Sequence, residues 1–340
     1  MLLIDTIKGK HYNNGMKLSI KVKRIIAIVS SITAVLVAVI LTLCFTLPYV
    51  VRNDYDTSIS YEKQTNEITV DGNSLKILQL TDLHVNGSID MPLTFALIKK
   101  TVRKTTPDLI VITGDIFSSG CKEKDVDRFI DFMGDIGLPW AAVLGNHDDE
   151  TPYSLGELSQ ILSDAQGSLF ITGTVENMYG NYYYDVKFLD GKIFQLLFMD
   201  SRSNGFTQQS VDFYKSTVEN SKSRNGGVAI NNILFYHIPV AEMQQAVDNG
   251  VKGIGDIREP LCVQGTNVGF FDSVVDLGVT KAMIFGHDHV NNLKVNYKGV
   301  DFCYGLKSST SSYNRARLVG GTLYTLNSNG NYVYQDIVVY

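Results

Sequence analysis

The chain has 340 residues, 44% hydrophobic and 19% charged, with 7 Pro and 29 Gly. That composition excludes collagen-like, mucin-like and disordered classes and leaves ample chain for a large core. Four Cys at 44, 121, 262 and 303 form no CxxC pair, which argues against a disulfide-stapled scaffold and a zinc ribbon. The net charge of −5 is uneven: residues 1–24 carry Lys8, Lys10, Lys17, Lys21, Lys23 and Arg24 against Asp5, a local +5, so the remainder carries −10. An acidic body lacks the clustered Lys and Arg that nucleic acid requires, so no nucleic-acid partner is expected.

In chain order, the basic stretch 1–24 comes first, followed by 27 residues, 25–51, without a charge. A helix over 25–47 would be about 35 Å long, enough to cross a bilayer core, and Pro48 is placed to end it. The basic flank predicts a single-pass anchor with a cytoplasmic N-terminus and an extracytoplasmic body. A cleaved signal, giving a secreted protein, is the alternative; the apolar run exceeds a usual h-region and no A-x-A site follows. Residues 48–66 are expected to be a linker and 67–340 one α/β domain.

Within that domain, apolar runs predict strands at 75–80, 109–113, 140–144, 193–199, 233–236 and 281–285. Helical patterns lie near 93–104, 124–133, 154–163 and 209–221, and Thr151 before Pro152 reads as an N-cap. The last third, with 292–297, 322–327 and 332–339, reads as strands and hairpins.

The polar residues with chemical potential lie just past strand ends. LQLTDLH carries Asp82 and His84, VITGDI carries Asp115, and AVLGNHDD carries Asn146 and His147. ILFYHIP carries His237, and MIFGHDH carries His287 and His289. Open α/β sheets bind ligands at the carboxyl ends of their strands. Five of the 6 His fall in these segments, leaving only His11, a distribution that scattered core histidines would not produce. Carboxylate, imidazole and amide donors without thiolate suit Mn, Fe or Zn rather than soft copper. The acidic run Asp148–Glu150 reads as a solvated loop, Asp288 as a structural hydrogen-bond partner, and Arg202 and Arg258 as possible phosphate contacts.

The ordered set Asp-x-His, Gly-Asp, Gly-Asn-His-Asp, His and Gly-His-x-His resembles the calcineurin-like metallophosphoesterase superfamily over residues 75–340. Asn267-Val-Gly-Phe, GHDHVNN, Tyr304-Gly and 315–318 are similar to its branch near the purple acid phosphatases. The resemblance implies a four-layer αββα sandwich of two mixed sheets flanked by helices. It also implies two divalent ions, one held by Asp82, His84, Asp115 and His289, the other by Asp115, Asn146, His237 and His287. Asp115 would be the bridge, and His147 would contact the substrate phosphate and protonate the leaving oxygen. The implied mechanism is in-line attack of a bridging hydroxide. Asn267 would border the pocket. Ser118 stands where purple enzymes have an iron-binding Tyr, so a colourless enzyme is expected. The expected substrate is a phosphomonoester, with phosphodiester or pyrophosphate hydrolysis as the alternative, on a small molecule or on a lipid or envelope phosphate reached from the anchor.

Overall fold

A computed structural model describes residues 20–50, 58–173, 178–201 and 203–340, with the side chains of 39–50 outside the description. The chain divides into two compact units, Met1–Val51 and Arg52–Tyr340. The first contains helix α1, Ile20–Val50. The backbone of the expected span 25–47 is therefore helical, but its side chains beyond 38 and most of the basic stretch lie outside the described residues. Among the described residues no helix is long and apolar enough to cross a membrane.

The second unit holds two mixed sheets, numbered here in chain order. Nine strands run β1 (Ile59–Glu62), β2 (Glu67–Val70), β6 (Tyr182–Lys187), β7 (Ile193–Phe198), β8 (Asn232–Phe235), β10 (Thr280–Phe285), β12 (Val300–Tyr304), β11 (Lys294–Tyr297) and β9 (Gly253–Ile254). Five run β14 (Tyr332–Val338), β13 (Gly320–Asn327), β3 (Ser74–Leu80), β4 (Leu109–Thr113) and β5 (Trp140–Val143). The helices are α2 (Met91–Thr105), α3 (Glu123–Ile136), α4 (Leu155–Asp164), α5 (Gln208–Arg224), α6 (Ala241–Asp248) and α7 (Phe270–Leu277).

The period-2 alternation of strands divides the nine-stranded sheet into two faces. Phe198, Ile233, Phe235 and Ile284 join a core with Ile77 and Ile110 of the five-stranded sheet and with Phe95, Phe129 and Phe132 of α2 and α3. Their neighbours Leu197, Leu234, Met283 and Phe285 join a second core with Tyr214 of α5 and Phe270, Phe271 and Val274 of α7. A strand covered on both faces reads as an unbroken apolar run; β4, Leu-Ile-Val-Ile-Thr, is buried at every position.

Within their sheets β3, β4 and β5 are mutually parallel, and so are β7, β8, β10 and β12. The buried Gln79 amide donates to Thr113 Oγ1 at 2.8 Å and to the Phe285 carbonyl at 3.0 Å, tying β3, β4 and β10 together near their carboxyl ends.

Two expectations are corrected. Residues 59–62 of the expected linker form β1, paired antiparallel with β2, because Ile59 buries itself in the core. The N-cap of α4 is Ser154 rather than Thr151. Ser154 Oγ accepts from Glu157 N and Glu157 Oε2 accepts from Ser154 N, a reciprocal capping box, whereas Thr151 Oγ1 donates to the Tyr153 carbonyl.

Candidate metal centre

Each sequence motif begins one to three residues after a strand ends, where the backbone leaves the ladder and turns sharply. Asp82, His84, Asp115 and His287 adopt the left-handed conformation, with φ of 54°, 48°, 50° and 78°. Such geometry costs about 1–3 kcal/mol per residue and persists only where the surroundings hold it. Here the Asp82 amide donates to the Gly114 carbonyl at 3.2 Å and the His84 amide to the Asp115 carbonyl at 3.0 Å. Ser309 Oγ and the buried Lys307 Nζ both donate to the Asp82 carbonyl, at 2.8 and 2.9 Å.

The glycines of these motifs answer a packing demand. A Cβ on Gly114, whose φ is 88°, would lie 2.5 Å from His237 Nδ1. A Cβ on Gly145 would collide with the Asp115 carboxylate.

Two groups of donors result, and they share one residue. Asp82, His84, Asp115 and His289 present ligand atoms within 4.8 Å of one another, as do Asp115, His237 and His287. Asp115 Oδ2 lies 3.1 Å from His237 Nε2 and 3.7 Å from His84 Nε2; His289 Nε2 lies 3.5 Å from Asp82 Oδ1. The other Asp115 oxygen accepts the His147 amide at 2.9 Å, which places the Asn146–His147 turn against the shared carboxylate.

A divalent pair fits this donor set. The Nε2 atoms of His84 and His289 face each other at 3.0 Å, and Asp82 Oδ1, Asn146 Oδ1 and His237 Nε2 are buried without a hydrogen-bond partner among the described residues. Buried polar atoms are ordinarily satisfied, so aligned orphans of this kind mark a place for a cation. The opposite ring nitrogens are already engaged: His237 Nδ1 sits 2.7 Å from the Thr113 carbonyl and His289 Nδ1 3.0 Å from the Tyr313 carbonyl.

Protonation follows from burial and charge. Burial, with the Lys307 charge adding to it, takes His84 down to about 3, and burial followed by His237 takes His287 down to about 4, so both are neutral near pH 7. Burial acts the same way on His237, but the Asp115 and Asp82 carboxylates override it and raise it to about 10. Burial would raise Asp115; the His237 charge prevails and brings it down to about 2. Asp115 and His237 are thus an ion pair whose proton a cation would displace.

His147 stands apart from the donor groups. Its side chain is 40% exposed, its ring meets His84 edge-on at 5.3 Å, and Nδ1 approaches Glu150 Oε1 at 3.0 Å without hydrogen-bond alignment. Glu150 is anchored by its second oxygen, which accepts the Ser119 amide at 2.6 Å.

The remaining sequence candidates fall elsewhere. Asn267 donates to Glu242 at 2.8 Å and accepts the Gly269 amide at 2.9 Å at the start of α7, contacts that do not include the donor groups. Arg202 lies outside the described residues, and Arg258 pairs with Asp256. Asp288 is a hydrogen-bond acceptor for Tyr304, Cys262 and Asn291. The reading of Asp148 as solvated is corrected: it is fully buried and clamps two loops, accepting from Phe117 N at 2.8 Å and Gly145 N at 2.7 Å. Burial and the nearby Asp115 push it up to about 7.

Lys307 escaped sequence reasoning because a lysine among Gly, Leu and Ser carries no ligand signature. Its burial, which takes the ammonium down to about 8 against the pull of Asp82 and Asp115, appears only in three dimensions.

The family description "Calcineurin-like phosphoesterase" matches residues 75–291, more than half of the chain. The chain belongs to the calcineurin-like phosphoesterase family. This phosphoesterase is 28% identical over 292 residues to "Probable inactive purple acid phosphatase 28" of Arabidopsis thaliana, covering 72% of this chain and 73% of that one. A shorter stretch of 86 residues is 30% identical to a "Probable cyclic nucleotide phosphodiesterase" of Synechococcus sp., covering 23% of this chain and 33% of that one. A solved dimetal phosphatase from Danio rerio shares the fold with a TM-score of 0.50 at 12% identity, over 76% of this chain and 98% of that one. The calcineurin-like phosphoesterase is a metal-dependent hydrolase of phosphoric esters.

Proposed function

We propose that this chain is a two-metal phosphomonoesterase. The observation that carries the reading is the pair of donor groups joined at Asp115, with the half-exposed His147 beside them. Asp82, His84, Asp115 and His289 would hold one divalent ion, and Asp115, Asn146, His237 and His287 the other. When bound, such ions neutralise phosphoryl oxygens and make water a nucleophile near neutral pH.

The protein's own groups do the rest. Asp115 is kept ionised, and His84 and His287 are kept neutral. The left-handed turns at Asp82, His84, Asp115 and His287 hold the ligands before any substrate arrives. His147, placed by its backbone amide's bond to Asp115, delivers a proton from Nε2 to the departing ester oxygen.

A phosphodiesterase is the second reading, favoured by the partial match to the Synechococcus protein. The anchor is part of the proposal too: it is supported by the uncharged run 25–51 and by the apolar side chains of α1, among them Ile28, Ile32 and Val35, which are more than half exposed.

The test uses the full chain, recovered from membranes after an alkaline wash and loaded with Mn²⁺. It is offered p-nitrophenyl phosphate and bis-p-nitrophenyl phosphate in parallel. The proposal expects faster turnover of the monoester. Preference for the diester would replace it with the second reading, and release of the chain by the wash would remove the anchor.

A further inference from the structure

We infer that Tyr313 is the platform on which this enzyme takes the organic group of its substrate, and that it selects phosphoesters carrying an aromatic ring; this rests on the phosphoesterase reading above. Tyr313 lies in the loop between β12 and β13 and is 54% exposed, while His289, against which it stacks, is 6% exposed. The two ring centroids are 4.2 Å apart with 30° between planes.

Tyr313 is the outermost ring of a continuous row. His147 meets His84 at 5.3 Å, His84 meets His289 at 4.8 Å, and His289 meets Tyr313 at 4.2 Å. The row begins at the proposed proton donor, crosses the donor group of one ion and ends on an aromatic surface open to solvent. A phosphoryl group held over the centre would carry its ester substituent within reach of that surface.

The ring is fixed in advance. Its own carbonyl lies 3.0 Å from His289 Nδ1, and the Glu259 carboxylate, whose charge reaches its phenol, accepts the Val290 amide at 3.0 Å. Asn314, the next residue, donates to the Thr310 carbonyl at 2.9 Å and closes the loop on itself. A side chain already immobilised forfeits little entropy when a ligand packs on it. Aromatic groups gain most from such a surface, through offset or edge-to-face contact.

A brace for His289 would serve equally well covered by protein, and the experiment separates brace from platform. The full chain, loaded with Mn²⁺, is titrated by calorimetry with phenylphosphonate and with methylphosphonate, neither of which can be hydrolysed. The wild type is expected to bind the phenyl compound about fivefold more tightly. Tyr313→Ala should lose that preference with methylphosphonate affinity and metal content unchanged, and Tyr313→Phe should keep it. A preference that survives in Tyr313→Ala, equal weakening of both ligands, or loss of the preference in Tyr313→Phe would overturn the inference. Binding of neither phosphonate by the metal-loaded wild type would overturn the phosphomonoesterase reading itself, an outcome distinct from the other three.

Discussion

Asp115→Asn is expected to lower phosphomonoester turnover by about 10³-fold or more, the scale of losing the charge stabilisation that a metal pair supplies. Among the described residues no other belongs to both donor groups. Its Oδ2 serves the His237 and His84 side while its Oδ1 accepts the His147 amide, so both oxygens are committed. An amide has one acceptor oxygen and one donor nitrogen; turned one way Asn takes an acceptor from both groups, and turned the other way the His147 amide faces another N–H. The side chain is 1% exposed, so water cannot repair the loss. Metal content measured by plasma emission on folded variant should fall together with activity. A variant that keeps its metals and more than a tenth of the activity would contradict the bridging role.

His147→Ala should behave differently. Removing a positioned general acid costs about 10²–10⁴-fold in kcat. His147 is half-exposed and its ring belongs to neither donor group, so the variant should fold and retain both ions. The bond that places it, from its backbone amide to Asp115, survives the substitution. The effect should shrink for esters whose leaving group needs no proton: p-nitrophenyl phosphate should lose less than an alkyl phosphate. Metal loss in His147→Ala, or equal losses on the two esters, would refute proton delivery.

The donor residues were legible in the sequence because each sits two to four positions past a largely apolar strand, and parallel pairing within each sheet aligns those strand ends. Asp82, Asp115, Asn146, His237 and His287 follow β3, β4, β5, β8 and β10 in that way. The strands themselves were visible from the same runs, whereas β1 was hidden: Ile-Ser-Tyr-Glu between polar neighbours resembles linker, and only pairing with β2 makes it a strand. The supporting residues were not legible for a related reason. Asp148 and Glu150 stand in one acidic run, yet one is buried against Phe117 and Gly145 while the other reaches Ser119 from the surface. Nothing local separates them, since the Phe117 and Ser119 amides that distinguish their roles are each 31 positions away. Lys307 and Tyr313 belong to a loop without helical or strand periodicity, and their partners Asp82 and His289 are brought to them by the sheets.

Titration of the metal-free full chain with Mn²⁺, following bound metal and hydrolysis of p-nitrophenyl phosphate together, tests the two-metal phosphoesterase most directly. The account predicts that activity appears with metal, saturates at two ions per chain and vanishes on chelation. Saturated binding of two ions with no hydrolysis of this ester or of phenyl phosphate, or hydrolysis undiminished in the metal-free chain, would contradict it.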